Sequence, residues 1–344
     1  MNHQDEEMVA AVVRRYGPPE VVELESRPVP VPGPGQALVR IEATAVNSGD
    51  ARIRGARFPP GFGLFARAAF GVRGPRRQVL GNTFSGVVES FGGPEVDRAA
   101  GSIRLGDPVC GMTGARMGAH ATHLVVDAER LVPVPGAVTH DQAAGVLFGG
   151  TTAAHFLRRV DERRSRSGVG VGPSTSVLVV GASGAVGTNA VQLAAARGAT
   201  VTGVCSGANA ELVRGLGADE VIDHGRVDLA VVPTRYDVVF DTVGRLGLHA
   251  GRRLLRPGGV LVLVAAGLGE TVRARGDVLA GPAPERTDEM ADLLAQVADG
   301  RLRVVLDVAG GLGGIVEAYR RVDSGRKVGN IVLRTDLDGP AGDA

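Results

Sequence analysis

The chain has 344 residues, 44% of them hydrophobic and 22% charged, with a formal net charge of +1. That length holds two domains, and that balance excludes a disordered or fibrous chain, a basic field for nucleic acid and an acidic tail. Residues 1–7 lack a basic region leading into an apolar core, and the longest apolar run, 260–266, is too short to span a bilayer. A cytoplasmic protein is expected, with small molecules or a second copy of itself as partners and neither nucleic acid nor membrane.

From residue 8 to about 127, short β-type runs alternate with Gly and Pro: 9–13, 37–45, 86–90, 108–111 and 121–126. The pattern predicts a compact, mostly antiparallel β domain. Within it, 57–78 is rich in Gly, Phe, Pro and Arg and has neither period, so a long surface loop is expected there, serving as a lid or pocket wall or packed on its own domain. Beyond Thr139 the pattern predicts two helices, 141–147 and 151–160, and then an Arg/Ser/Gly loop over 163–173.

A regular alternation follows. Strands are predicted at 177–180, 200–205, 220–222, 238–241 and 260–265. Helices are predicted at 187–197, 209–216 and 246–255, the last before a Pro257-Gly258-Gly259 turn. Strands alternating with helices imply right-handed crossovers and a doubly wound parallel sheet. The tail reads as a helix at 287–298, a strand at 304–307, a helix at 315–322 and a last strand at 330–333. Cys110 and Cys205 lie far apart with no C-x-x-C spacing, so no thiolate zinc site or disulfide framework is available and both are read as buried thiols.

The most informative segment is Val177-Leu178-Val179-Val180-Gly181-Ala182-Ser183-Gly184-Ala185-Val186-Gly187. A buried strand enters a glycine turn and then a helix, as a dinucleotide phosphate site requires. Side chains would block approach to the pyrophosphate, and free amides of the first helical turn attract it. Ser183, Gly184, Ala185 and Val186 are the candidate contacts. An acid ending the second strand would favour a free ribose 2′-hydroxyl, but the strand ends Cys205-Ser206-Gly207-Ala208-Asn209, with no carboxylate before Glu211. Ser206 and Asn209 therefore favour NADP(H) over NAD(H), with Arg214 as a possible cation; capping of the next helix is the alternative use of both. Asp241, Thr242 and Val243 end one strand and Ala265, Ala266 and Gly267 another, at the carboxyl edge where such sheets bind ligands. Asp241 is equally suited to a local turn.

With those segments in hand, the chain resembles the medium-chain dehydrogenase/reductase superfamily, in its zinc-free branch of quinone oxidoreductases. The resemblance is carried by Tyr16-Gly17-Pro18-Pro19-Glu20-Val21, Ala45-Val46-Asn47-Ser48-Gly49-Asp50, Val79-Leu80-Gly81, Gly106-Asp107-Pro108-Val109, Gly149-Gly150-Thr151-Thr152-Ala153, the turn at 181–187, Leu216-Gly217-Ala218-Asp219 with Val221-Ile222-Asp223, Phe240-Asp241-Thr242-Val243-Gly244 and Arg256-Pro257-Gly258-Gly259. It implies a GroES-like β domain over 1–140 and 304–344, a Rossmann domain over 141–303, and an active cleft between them. It also implies a homodimer pairing Rossmann sheets edge to edge, although the corresponding segment, Asp277-Val278-Leu279-Ala280-Gly281-Pro282, is short and carries a proline that cannot donate to a ladder.

Zinc-dependent relatives carry a cysteine where this chain has Asn47 and Gly-His-Glu where it has Gly81-Asn82-Thr83, so the resemblance implies no metal. His120 and His123 fall on a β segment and read as structural or surface residues. The implied chemistry is hydride transfer from NADPH to a quinone or an α,β-unsaturated carbonyl, the protein supplying position and electrostatics. Arg52, Asn47 and Asp50 are the candidate catalytic residues; Arg52 stands where relatives carry Tyr or Lys and is the candidate for polarising the carbonyl. It cannot donate a proton, and its alternative is an ion pair with Asp50 or a cofactor phosphate. Asn47 and Thr152 match contacts to the nicotinamide ribose and ring, and Asn330 a late contact that is usually lysine. Other readings are an ene or enoyl reductase of a biosynthetic pathway, an alcohol dehydrogenase, disfavoured by the missing zinc ligands, and a non-catalytic NADPH-binding structural or regulatory protein.

Overall fold

A computed structural model describes residues 6–93, 103–164 and 170–335. Part of the loop expected at 163–173 and both ends of the domain ranges given above lie outside the described residues.

The amino-terminal half forms β1 (Glu7–Val13), β2 (Val22–Pro28), β3 (Gln36–Val46), α1 (Ser48–Arg54), α2 (Gly63–Phe70), β4 (Thr83–Phe91), β5 (Pro108–Met112), β6 (His123–Asp127) and β7 (Leu131–Pro133). Next come α3 (His140–Arg164), β8 (Ser176–Val180), α4 (Ala185–Ala195), β9 (Thr200–Cys205), α5 (Ala210–Gly215), β10 (Glu220–Asp223), β11 (Tyr236–Asp241), α6 (Leu248–Arg253), β12 (Leu255–Leu263), α7 (Leu268–Arg273) and β13 (Val278–Ala280). The tail supplies α8 (Thr287–Ala298), β14 (Leu306–Gly311), α9 (Ile315–Asp323) and β15 (Asn330–Arg334).

Six strands form an all-parallel sheet in the order β10-β9-β8-β11-β12-β13. This is the doubly wound order, with its crevice beyond the carboxyl ends of β8 and β11. The second sheet runs β14-β15-β3-β4-β5-β7, antiparallel except for the β14–β15 pair. One edge of β3 is shared: β15 pairs along 43–46 and β6 along 36–40. The α/β class and the mostly antiparallel companion domain are therefore as the sequence implies. β1 and β2 form a separate antiparallel hairpin. Among the described residues no helix is long and apolar enough to cross a membrane.

Several segments depart from the sequence reading. The two helices expected at 141–147 and 151–160 are one helix, α3, running through Gly149 and Gly150. Those glycines are there for packing. A Cβ on Gly149 would lie 2.2 Å from the Ala185 carbonyl oxygen, so its absence lets α3 cross the start of α4, and Gly145 likewise sits against Leu306 and Val332 of the other sheet. The segment expected as a loop at 57–78 contains α2, anchored by Ala66 and by the Phe58–Phe70 stack at 6.0 Å. Pro257, Gly258 and Gly259 fall inside β12 as a bulge, where its register against β11 slips between Tyr236 and Val238. The late strand starts at Leu306 rather than 304.

Candidate active site

The phosphate turn follows β8. Gly181 adopts φ +81° and presses on Thr242 and Val243, a conformation and a closeness that exclude a side chain. Gly184 is the N-cap of α4, and no side chain caps this helix. A Cβ built on Gly184 would meet nothing nearer than the Gly181 carbonyl oxygen at 3.4 Å. A side chain there would make only ordinary van der Waals contact, and the first-turn amides of Ala185 and Val186 have no acceptor within the helix, the arrangement that suits a diphosphate. Ser183 is held on both sides: its carbonyl accepts from Gly329 N at 2.8 Å, and its hydroxyl accepts from Asn209 Nδ2 at 3.1 Å.

Neither Ser206 nor Asn209 caps the following helix with its side chain. Arg214 is turned to Glu211, at 2.5 Å. A carboxylate overlooked in the sequence reading stands beside them. β10 pairs with β9 in parallel, so Asp223 lies opposite Cys205, and a Cβ on Gly207 would come within 2.6 Å of its Oδ2. Asp223 also holds Gly225 N at 2.9 Å and faces Arg226 at 3.6 Å. Its signal was its place at the end of the strand adjacent to β9.

Asp241 is spent on its own loop. It is fully buried, its Oδ1 accepting from Val243 N and Gly244 N and its Oδ2 from Leu246 N at 2.6 Å. Burial still pushes its carboxyl above the usual range. Thr242 donates to the Val180 carbonyl at 2.8 Å, while Val243 stands exposed at the sheet edge. Ala265 and Ala266 are half-buried and lead into α7. Gly267 caps α7, and its α-carbon faces the Pro60 carbonyl, to which Leu268 N donates at 2.9 Å. The segment before α2 therefore reaches across to the doubly wound domain.

On the other wall, α1 begins with a reciprocal cap. Asn47 Oδ1 accepts from Gly49 N and Asp50 N, and Asn47 N donates to Asp50 Oδ2 at 3.0 Å. Asn47 Nδ2 donates to Asn82 Oδ1 at 2.7 Å, which joins the two positions that carry metal ligands in zinc-dependent relatives. Thr152 gives its hydroxyl proton to the Phe148 carbonyl. Asn330 is buried, with both its backbone and side-chain amides on the Val305 carbonyl. The adjacent Gly329 carbonyl accepts from Lys327 Nζ at 2.7 Å, and burial lowers that ammonium to about 8.

Arg52 and Asp50 are two residues apart on a helix, so they project about 200° from one another. No ion pair joins them among the described residues, and Arg52 has no carboxylate partner there. Burial and nearby Arg57 lower the Arg52 guanidinium without discharging it. Asp50 points inward, into a network with His120 Nε2 at 3.9 Å. The other imidazole nitrogen meets Tyr319 Oη at 3.3 Å, and Tyr319 lies under Arg54, whose Nη2 reaches Asp323 at 2.5 Å. His123 faces Glu89 at 3.4 Å, and no group of three candidate ligands could hold a metal among the described residues. Both cysteines are free and buried, and burial pushes the Cys110 thiol up to about 12.

Burial pushes Asp50 up to about 7, against N–H donors from Asn47 and Gly81, and pushes His120 down to about 4. A carboxyl that keeps its proton in the fold stabilises fully below its unfolded pKa, and the contribution is lost as pH rises from about 4 to 7. A His kept neutral acts oppositely, its contribution falling away as pH drops from 6.5 towards about 4. Across that window the two slopes offset one another. Asp50→Asn should uncover the His120 slope, so urea unfolding of the variant should show stability rising with pH between about 4 and 6.5. A variant profile as flat as the parent's would count against this pairing.

With this geometry established, comparisons with known proteins give a consistent result. Residues 33–136 match the alcohol dehydrogenase GroES-like domain and residues 216–333 the zinc-binding dehydrogenase domain. The quinone oxidoreductase of Pseudomonas aeruginosa is 28% identical over 92% of this chain and 97% of its own length. The chloroplastic NADPH-dependent alkenal/one oxidoreductase of Arabidopsis thaliana is 28% identical over 95% and 79%. The structure of the quinone oxidoreductase from Coxiella burnetii superposes with a TM-score of 0.81 at 25% identity, covering 96% of this chain and all of that one. The chain belongs to the medium-chain dehydrogenase/reductase superfamily, in its quinone oxidoreductase-like branch. It is an oxidoreductase of that superfamily.

Proposed function

We propose that the chain is a cytoplasmic, NADPH-dependent reductase of quinones or α,β-unsaturated carbonyls that works without a metal ion. The observation that carries this reading is the Asn47–Asn82 amide pair. Two carboxamides locked to one another offer neither thiolate nor imidazole to zinc, whatever description the matching domain bears. The relatives named for quinone and alkenal/one reduction support the acceptor class.

A nicotinamide nucleotide would supply the hydride. Ala185 and Val186 amides would hold its diphosphate over Gly184, in the space left by the missing Cβ. Ser206 and Asn209 would donate to the 2′-phosphate, Asn209 being already oriented by Ser183. Thr152, Val243, Ala266 and Gly267 would line the nicotinamide half. Arg52, a half-buried cation with no carboxylate of its own, would stabilise charge developing on the acceptor oxygen, and water would supply the proton. Two copies would pair through β13, which offers only Val278–Ala280.

The test is oxidation of NADPH and NADH by chelator-treated protein against quinones, enones and enoyl thioesters, alongside elemental analysis of the purified chain. NADPH turnover that survives chelation is expected. Turnover restored only by zinc, or none with any acceptor, overturns the reading; activity on enoyl thioesters alone reassigns it to enoyl reduction.

A further inference from the structure

Residues 51–88 contain seven arginines and not one Asp or Glu, in a chain whose net charge is only +1. Arg54 and Arg57 are taken up by Asp323. Arg67 lies over the Tyr16 ring and donates to the Val72 carbonyl. Arg73, Arg76 and Arg77 are exposed, with no carboxylate partner among the described residues. The same segment carries three strongly exposed large apolar side chains: Leu64 at 85%, the most exposed among the described residues, Phe65 at 67% and Val72 at 66%. Ala66 and Phe70 turn inward on α2, so Leu64 and Phe65 are left on the opposite side of the same short helix.

A solvated loop has no reason to expose Leu, Phe and Val together, and a protein partner's acidic patch would not by itself draw them in. Apolar side chains flanked by unneutralised cations are what lies down at the interface of an anionic lipid layer, with the apolar groups among the acyl chains and the cations among the headgroups. We propose that α2 and the loop that follows it dock this protein on an anionic phospholipid surface. The absence of a spanning segment, on which the expectation of no membrane partner rested, does not bear on a helix that lies in the surface plane. The segment also walls a cavity of about 300 Å³, floored by Ile53, Leu80 and Met117, with Phe70, Arg76 and Arg77 among its lining. Docking would place that cavity near the bilayer, so that an apolar acceptor dissolved there has a short route in. This supply route rests on the reductase reading above; the lipid binding does not.

The experiment is cosedimentation of the full chain with vesicles of phosphatidylcholine alone and of phosphatidylcholine mixed with phosphatidylglycerol, at low and high salt. Binding only to the anionic vesicles, lost at high salt, is expected. A Leu64→Ser/Phe65→Ser variant and an Arg73→Gln/Arg76→Gln/Arg77→Gln variant should each bind at least about ten-fold more weakly, with melting temperatures unchanged. A parent that binds neither vesicle, or both equally, overturns the proposal, as does a serine variant that binds like the parent. So does a parent dimer that the serine variant converts to monomer, which would assign the face to a second copy. Because sedimentation needs no turnover, and turnover of a water-soluble quinone needs no vesicle, failure here is separable from failure of the reductase reading.

Discussion

Gly184→Asp should lower kcat/KM for NADPH at least about a hundred-fold while leaving the fold as stable as before. A carboxylate at the N-cap of α4 would sit in the space left open for the diphosphate. Two like charges about 4 Å apart near a protein surface repel by about 4 kcal/mol, roughly three decades in affinity. The fold has no reason to object. Gly184 has φ −83° and ψ 176°, an extended conformation open to any residue, and the added Cβ meets only the Gly181 carbonyl oxygen at 3.4 Å. Asp is itself a good N-cap, so stability should stay within about 1 kcal/mol of the parent. Gly184→Asn, equally good as a cap but neutral, should lose much less. The measurement pairs steady-state kinetics with thermal unfolding. A Gly184→Asp enzyme with parental kcat/KM would remove the turn from the cofactor site.

Arg54→Met should cost about 3–5 kcal/mol of unfolding free energy, whereas Arg57→Met should cost less than about 1. The two arginines share one acceptor, Asp323, so the comparison isolates burial. Arg54 is fully enclosed. It reaches the Gly17 carbonyl and Asp323 and lies 5.0 Å from the centre of the Tyr319 ring, joining α1 to α9. Its removal leaves the half-buried Gly17 carbonyl without its donor and Asp323 with Arg57 alone, and methionine replaces the stem but neither hydrogen bond. Arg57 is 52% exposed, and water replaces most of what it provides. Urea unfolding of the three proteins decides the matter, equal losses being the result that contradicts it.

What the sequence revealed of the fold tracked how far local chemistry determined it. Buried strands such as Val177-Leu178-Val179-Val180 are readable because they are apolar on both faces. β2 escaped because Val22-Glu23-Leu24-Glu25-Ser26 is largely exposed, and its strand character comes from pairing with β1. α3 read as two helices because Gly149-Gly150 mimics a break. Only the presence of Ala185 and Leu293 against those glycines explains them. At the site, the phosphate turn was legible because its glycines answer to local backbone geometry. Asp241, weighed between a ligand and a turn, proves to serve the turn. Asp50 and Arg52 were placed together by adjacency in sequence, and helical geometry separates them. Asp223 belongs to a neighbouring strand, so its nearness to Ser206 and Gly207 is set by sheet order, which no local pattern encodes.

The position of β15 bears on how the molecule is made. It covers the edge of β3 along 43–46, yet nearly 290 residues separate the two strands. On a ribosome, the amino-terminal sheet must wait with a bare flank until β15 has emerged, by which time the doubly wound domain already has every strand it needs. Of these two sheets, the one whose strands begin first is thus completed second.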